Sequence, residues 1–456
     1  MPILTIACDD LDDEGAALGT DQAGSEPTRV HVPGALPGES VLAAVEHRSP
    51  HRAEAWARLV QIITPSPHRR APACRAFGAC GGCVLQHLDY PEQLRWKAGR
   101  VRAIAAAQPA LAGVPVADCV ASPRPLGYRN RSKLVCAPAR GAAAGRAPLV
   151  LGAYAPRTHD VVDLAGGCRI AEAPLDEVAA GLREVLIRLG VTPYDERTAT
   201  GDLRYAVLRA NHRGAVLAVL VTARRAWPIG PAVAAALAAA HPAVAGVVQN
   251  INPTRGNAIY GPDDLPLAGE PALDDQIGGV RLRLSARAFL QANRDVAALA
   301  YAAIADALAV QASDTVVDAY AGVGGIALTL AARAQAVIGI EENPAAVADA
   351  SASAALNQAA QVRFQAADAA AGLRAVARAD LVVLNPPRKG CAPAVLAEVA
   401  RLAPRAIAYL SCDPTTLARD LAWLAERGYR TRMLTPFDML PHTPHVEVLA
   451  VAEPAP

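Results

Sequence analysis

The chain has 456 residues and a net charge of +1, and it is 52% hydrophobic but only 4% aromatic, so its cores must be packed by alanine, valine and leucine. At roughly 150 residues per domain, that length predicts about three domains. His241 and Pro242 interrupt the alanine-rich run at 233–246, which is too poor in large apolar residues for a lipid span, and MPILTIACDD lacks the basic start and apolar run of a secretion signal; a soluble cytoplasmic protein with no membrane partner is expected.

Residues 1–65 predict a small β-barrel, because ILTIACDDLDDEGAALG, TRVHVPGALPGESVLAAVEH and AEAWARLVQII are short alternating strands divided by Gly and Pro turns. Charge is unevenly spread: residues 1–47 carry nine acids against one arginine, whereas 48–133 carry fourteen Arg and Lys against four acids. Only three lysines occur in the chain, so this basic stretch is almost wholly arginine, the side chain suited to bidentate phosphate contacts and to stacking on bases. An RNA partner is expected, and no obligate protein partner is evident.

Residues 66–97 form a cysteine-bearing loop that leads into a helix, within a second region expected over 66–285. Cys74, Cys80 and Cys83 are separated by five and two residues, and Cys168 stands further on in GGCRI. Nine irregularly placed cysteines in a cytoplasmic chain do not suggest disulfides. The pattern permits zinc or an iron–sulfur cluster, although zinc ribbons usually offer two CxxC pairs and this chain has one pair plus two single cysteines. Cys8, Cys119, Cys136 and Cys391 lack partners of this kind.

From 286 to 456 strand and helix signals alternate, with strands expected at TVVD (315–318), AVIGIE (336–341), VRFQ (362–365), DLVVL (380–384) and AIAYL (406–410). That rhythm predicts an open, mainly parallel, doubly wound sheet, giving an α/β plus β fold class overall. Asp318, Gly322, Gly324 and Gly325 form a glycine loop between a strand and an apolar helix, Glu341 ends the next strand where an acid can accept two ribose hydroxyls, and Asp368 follows the third strand where it could face an adenine amine. Together these point to a nucleoside cofactor. A dehydrogenase stays conceivable at this point, although the loop lacks the full GxGxxG spacing.

The segments LNPPRKG (384–390), LSCDP (410–414) and LPHTPHVEV (440–448) bring a thiol, Cys412, and a carboxylate, Glu447, downstream of that loop. PTTLARDLAWLAERG (414–428) predicts a helix, and its N-terminus would make the setting of Cys412 electropositive. In amino-group methyltransferases an aromatic follows NPP; here Arg388 follows, and an exocyclic amine needs no cysteine nucleophile.

Taken with SARAFLQAN (285–293), DAYAGVGG and GIE, these segments resemble the RNA uracil-C5 methyltransferases that use S-adenosylmethionine, and specifically their iron–sulfur 23S ribosomal RNA branch. LDDEG and VPGALPGE resemble the TRAM domain, an RNA-binding OB-like barrel. The resemblance runs nearly end to end and implies a C-terminal Rossmann-like class I methyltransferase domain. It implies Cys412 as nucleophile, Glu447 as proton-abstracting base, and Gln291, Tyr320, Glu341 and Asn385 as contacts to the methyl donor, with Asp368 on the adenine side. It also implies a [4Fe-4S] cluster on Cys74, Cys80, Cys83 and Cys168. Ala321, Asp413 and Leu440 depart from frequent family residues without touching the nucleophile or the base, and Asn385 stands where many relatives have Asp. Transfer RNA as substrate, and a non-catalytic RNA-binding or assembly factor, are the competing readings.

Overall fold

Alternation of buried and exposed residues over the first 64 positions closes into a barrel of β1 (Ile3–Leu11), β2 (Ala17–Asp21), β3 (Thr28–Val32), β4 (Ser40–Arg48) and β5 (Glu54–Thr64) in the order β1-β2-β3-β5-β4. The β3/β5 pair is parallel, and β4 returns against β1 to shut the ring, which leaves no open sheet edge. Ile6, Val30, Val32, Val41, Ala43 and Ala55 fill its interior, and Leu85 and Leu88 of the following loop pack on the same core. The computed structural model describes residues 2–22, 27–139, 149–256 and 258–456. The chain divides into two units: Met1–Trp96 with Tyr154–Asp160 and Pro441–Pro444, which holds the barrel, and Lys97–Ala153 with Val161–Leu440 and His445–Pro456. Helix α1 (Tyr90–Ala107) begins in the first and continues into the second.

The second unit contains two seven-stranded sheets. One is mixed, built from β6 (Arg131–Pro138), β7 (Leu149–Tyr154), β8 (Val161–Asp163), α2 (Ala173–Arg188), β9 (Leu203–Ala210), β10 (Val216–Thr222), α3 (Gly230–Ala240), β11 (Val244–Ile251) and β12 (Asp263–Gly269), with strand order β12-β11-β10-β9-β6-β7-β8. Every residue of β9 and β10 is buried, which is why VLAVLVT reads as a nearly unbroken apolar run instead of alternating, while LRYAVLRA buries Arg204 and Arg209 among its apolar residues. A hairpin of β13 (Ala272–Ile277) and β14 (Val280–Ser285) follows, turning through Gly278 and Gly279.

The C-terminal sheet alternates as expected through α4 (Arg294–Ala307), β15 (Thr315–Ala319), α5 (Gly325–Ala331), β16 (Ala336–Glu341), α6 (Pro344–Leu356), β17 (Val362–Ala366), α7 (Ala369–Ala375), β18 (Leu381–Leu384), α8 (Pro393–Leu402), β19 (Ala406–Ser411) and α9 (Pro414–Ala425). It ends in a hairpin, β20 (Tyr429–Phe437) and β21 (Glu447–Pro454), that the sequence reading did not anticipate. Pro436 inside β20 argues against a strand, and the structure accommodates it because β20 is the edge of the sheet. Strand order is β17-β16-β15-β18-β19-β21-β20; β15 to β19 run parallel, and β21 lies antiparallel to both neighbours. No helix among the described residues is long and apolar enough to cross a membrane.

Candidate active site

Strand order reverses between β15 and β18, and in open α/β sheets ligands settle in the crevice outside the carboxyl ends of the strands at that point. Here the crevice is a cleft of about 630 Å³, within the usual range for small-molecule sites. Each parallel strand delivers a residue to it: Tyr320 after β15, Glu341 at the end of β16, Asp368 after β17, Asn385 after β18 and Cys412 after β19. Gln291 and Gly322 also line it, as does Glu447, the first residue of β21. Asp318 and Gly324 do not.

The glycine loop turns through left-handed conformations at Tyr320 (φ 69°), Gly322 (φ 55°) and Gly324 (φ 87°). A Cβ on Gly322 would meet no atom within 4 Å, so glycine there keeps the cleft open, whereas one on Gly324 would stand 2.6 Å from Phe364 Cζ. Glu341 braces the loop: its Oε2 accepts the Gly322 N–H at 3.0 Å and its Oε1 accepts the Asn343 N–H at 2.9 Å. One lone pair on each oxygen stays available for a vicinal diol. Asp318 is fully buried behind the loop, where its Oδ2 accepts the Ala327 N–H at 3.0 Å and its Oδ1 has no hydrogen-bond partner. Burial pushes its carboxyl up to about 7. Its position is that of a support for the start of α5. Asp368 lines the cleft but also caps α7, accepting the Ala370 and Ala371 N–H groups on Oδ1. Gln291 is held at its backbone, its carbonyl accepting Asn130 Nδ2 at 2.8 Å.

Cys412 and Glu447 meet through strand register. Ile407 to Ser411 of β19 pair antiparallel with Ala452 to Val448 of β21. Extending that register by one residue sets Cys412 opposite Glu447, and directly opposed Cβ atoms in such a pair stand ~4.5–5.5 Å apart. Glu447 is 6% exposed, and burial pushes its carboxyl up to about 7, opposed by the charge of Arg388. Burial also pushes the Cys412 thiol up, helped by Glu447 and opposed by Arg388, so at neutral pH the sulfur rests as the thiol. Asp413 caps α9, accepting the Thr415 and Thr416 N–H groups at 3.0 Å each, so those amides are already engaged and a carboxylate sits beside the sulfur. Arg388, to which the sequence reading gave no role in the site, lines the cleft, and its Nη2 lies 3.4 Å from His445 Nε2. Burial and the Arg388 charge depress His445 to about 4, so the ring is neutral. The signal for Arg388 was present in NPPRKG, a cation placed between two prolines and the thiol segment.

The cysteine expectation fares differently. Cys74, Cys80 and Cys83 lie in the loop after the barrel and Cys168 in the other unit, all half-buried. Among the described residues no group of three or more His, Cys, Asp or Glu side chains is placed to hold a metal ion. Local bonds shape the loop: Gln86 Oε1 accepts the Cys74 N–H at 3.0 Å, and Cys80 Sγ accepts the Gly82 N–H at 3.4 Å. Burial pushes the Cys168 thiol up.

Residues 276–452 match the family model of the tRNA (uracil-5-)-methyltransferases. An uncharacterized RNA methyltransferase of Geobacter sulfurreducens is 40% identical over 455 residues, covering 98% of this chain and 89% of that protein. Another, of Halalkalibacterium halodurans, is 34% identical over 460 residues, with 99% and 97% coverage. Among solved structures, the tRNA (uracil-54, C5)-methyltransferase of Pyrococcus abyssi in complex with S-adenosyl-L-homocysteine aligns with a TM-score of 0.76 at 24% identity over 98% of this chain and 100% of that one, a likeness of fold.

Proposed function

We propose, since the chain belongs to the tRNA (uracil-5-)-methyltransferase family of RNA methyltransferases, that it methylates carbon 5 of a uridine in 23S ribosomal RNA. The observation that carries this reading is the register that sets Cys412 opposite Glu447 at the mouth of a cleft floored by the glycine loop and Glu341. S-adenosylmethionine, when bound, supplies an electrophilic methyl group. The open face of Gly322 and the free lone pairs of Glu341 fit its nucleoside, with Gln291, Tyr320, Asn385 and Asp368 completing the lining.

Carbon 5 of uracil is a weak nucleophile until a group adds at C6. Cys412, once its thiol proton has passed to water, would bond to C6 as the thiolate and drive the ring electron pair toward C5 and O4; C5 would then take the methyl group, whose former bonding pair stays on the donor's sulfur. Glu447 removes the C5 proton, and the C6–S bond breaks with its electron pair returning to sulfur, which restores the ring double bond. A uracil within a stacked helix does not present C6 to a thiolate, so the base must swing out into the cleft. The barrel, as a TRAM-like domain, and the arginine-rich stretch over 48–133 would hold the surrounding RNA, with the cytoplasm as the compartment. The spacing of Cys74, Cys80, Cys83 and Cys168 supports a [4Fe-4S] cluster, and no step is routed through one. Iron and sulfide in anaerobically purified protein would support it; stoichiometric zinc without sulfide would overturn it.

Transfer RNA is the second reading, favoured by the Pyrococcus abyssi likeness. Mapping 5-methyluridine in ribosomal and transfer RNA from cells with and without the gene decides between them. A ribosomal site lost with the gene supports the proposal, and a loss confined to transfer RNA overturns it.

A further inference from the structure

Helix α9 follows Cys412 directly, and its first two turns also grip the backbone of 388–391. Thr416 Oγ1 donates to the Arg388 carbonyl at 3.1 Å, Arg419 Nη2 donates to the Lys389 carbonyl at 3.0 Å, and Asp420 Oδ2 accepts the Cys391 N–H at 2.8 Å. The fit is tight. Gly390 takes φ 74°, and a Cβ there would stand 2.6 Å from both Arg419 Nη2 and Asp420 Oδ2. Asp420 is 1% exposed, and it also accepts Tyr409 Oη at 2.6 Å and Arg419 Nε at 2.8 Å. A carboxylate removed from water and satisfied on both oxygens holds its partners in one geometry. The network reaches into the sheet, because Tyr409, whose hydroxyl donates to Asp420, is a fully buried residue of β19, the strand that ends just before Cys412.

Asp420 does not itself line the cleft. What its network fixes is the segment carrying Arg388, whose guanidinium lies in the cleft with Cys412 and Glu447 and against His445. We propose that Asp420, together with Thr416 and Arg419, is a positioning residue that locks Arg388 to helix α9, so that the Cys412 nucleophile and its counter-charge form one rigid body. The proposal rests on the reading of Cys412 as nucleophile. Three charged groups act on that sulfur: Glu447 from β21, Asp413 from the start of α9, and Arg388 from the clasped loop. If the clasp is broken, the two carboxylates are left less opposed and the thiol becomes harder to ionise.

The test is the pH dependence of iodoacetamide alkylation of the full-length protein, read at the Cys412 peptide by mass spectrometry so that the other cysteines do not contribute. Asp420→Asn leaves one acceptor oxygen where two served Cys391, Tyr409 and Arg419, so one side of the clasp meets an amide instead, and it is expected to move the alkylation midpoint upward by up to about one pH unit, the low end of the shift a nearby opposite charge produces. Arg388→Gln should give a like shift, and the double variant no more than either alone, since both remove one interaction. Thr416→Val, a half-buried change that removes the hydroxyl shared between the Arg388 carbonyl at 3.1 Å and the Asp413 carbonyl at 3.2 Å, should shift in the same direction, and it decides the matter if Asp420→Asn does not fold. A lowered melting temperature with an unmoved midpoint in both variants would make Asp420 merely structural and overturn the proposal. Shifts that add in the double variant would overturn it as well, because the effect would not pass through Arg388. Alkylation needs no RNA, so a chain that methylates a different base leaves this readout standing. A Cys412→Ala enzyme that still methylates uridine sinks the functional reading without touching the clasp.

Discussion

Replacing Asp318 by Asn should make the protein more stable at pH 8 and leave it unchanged at pH 4. The carboxyl is fully buried, and its pKa moves from an unperturbed 3.8 to about 7. A carboxyl whose folded value lies above its unfolded value binds its proton more tightly in the native state, so its contribution is intact below pH 3.8 and declines until pH passes about 7. At about 1.4 kcal/mol per pKa unit, the full decline is about 4 kcal/mol. Asparagine matches the protonated acid: its Oδ1 still accepts the Ala327 N–H, and its amide takes the place of the partnerless oxygen, where an acid proton would otherwise sit. Urea unfolding of both proteins across pH 4–8 measures the difference. The expected curve starts near zero, climbs through the acidic range and levels off above neutrality. A difference that stays flat with pH would refute the burial argument, and so would an Asn variant that is less stable at pH 8.

In denaturing gels with labelled donor and RNA, Glu447→Gln should accumulate a slow-migrating methylated protein–RNA adduct, since loss of a general base typically costs ~10²–10⁴ in rate. Adding Cys412→Ala should abolish that band, and a Glu447→Gln enzyme that turns over normally would refute the assignment. In the wild type, kcat/KM should rise through about pH 7 as Glu447 loses its proton, because only the carboxylate can accept one; a profile level from pH 5 to 8 would contradict this. Gly324→Ala forces a Cβ onto Phe364 and a left-handed alanine, which together should cost about 3 kcal/mol in urea unfolding. A loss under about 0.5 kcal/mol, the range of ordinary surface changes, would mean the loop relaxes freely.

The parallel half of the C-terminal sheet was legible because its strands are buried on both faces: LVVL and AIAYL are short apolar runs bounded by Gly, Pro and Asp, and every residue of β18 and β19 is buried. The cleft-lining residues were legible for the same reason, since a strand end followed by a glycine, acid or thiol marks the carboxyl edge. The burial of Asp318 was not legible because sequence spacing places it near a strand end without telling which way it faces; its side chain accepts the Ala327 N–H. The raised thiol of Cys412 was missed because its burial and its closeness to Glu447 arise only once the sheet has formed. Arg388 and the α9 clasp depend on contacts across some 30 residues of chain, which periodicity does not encode.

The reversed direction of β21 has a consequence for how the site can drift. Parallel strands bring their last residues to the catalytic edge, followed by loops that can lengthen and move. An antiparallel strand brings its first residue there, and β21, with eight residues at ~3.3 Å each, would otherwise carry its leading end some 25 Å away. Glu447 therefore pairs with Phe437 of β20 and sits one residue beyond the β19 ladder, next to Val448, while Cys412 stands just past a strand end. Changes of length between 438 and 446 leave the pairing of Ser411 with Val448 free to re-form, but a slip of one residue along β21 would swap the carboxylate for Val446 or Val448 and turn an acid–base site into an apolar wall.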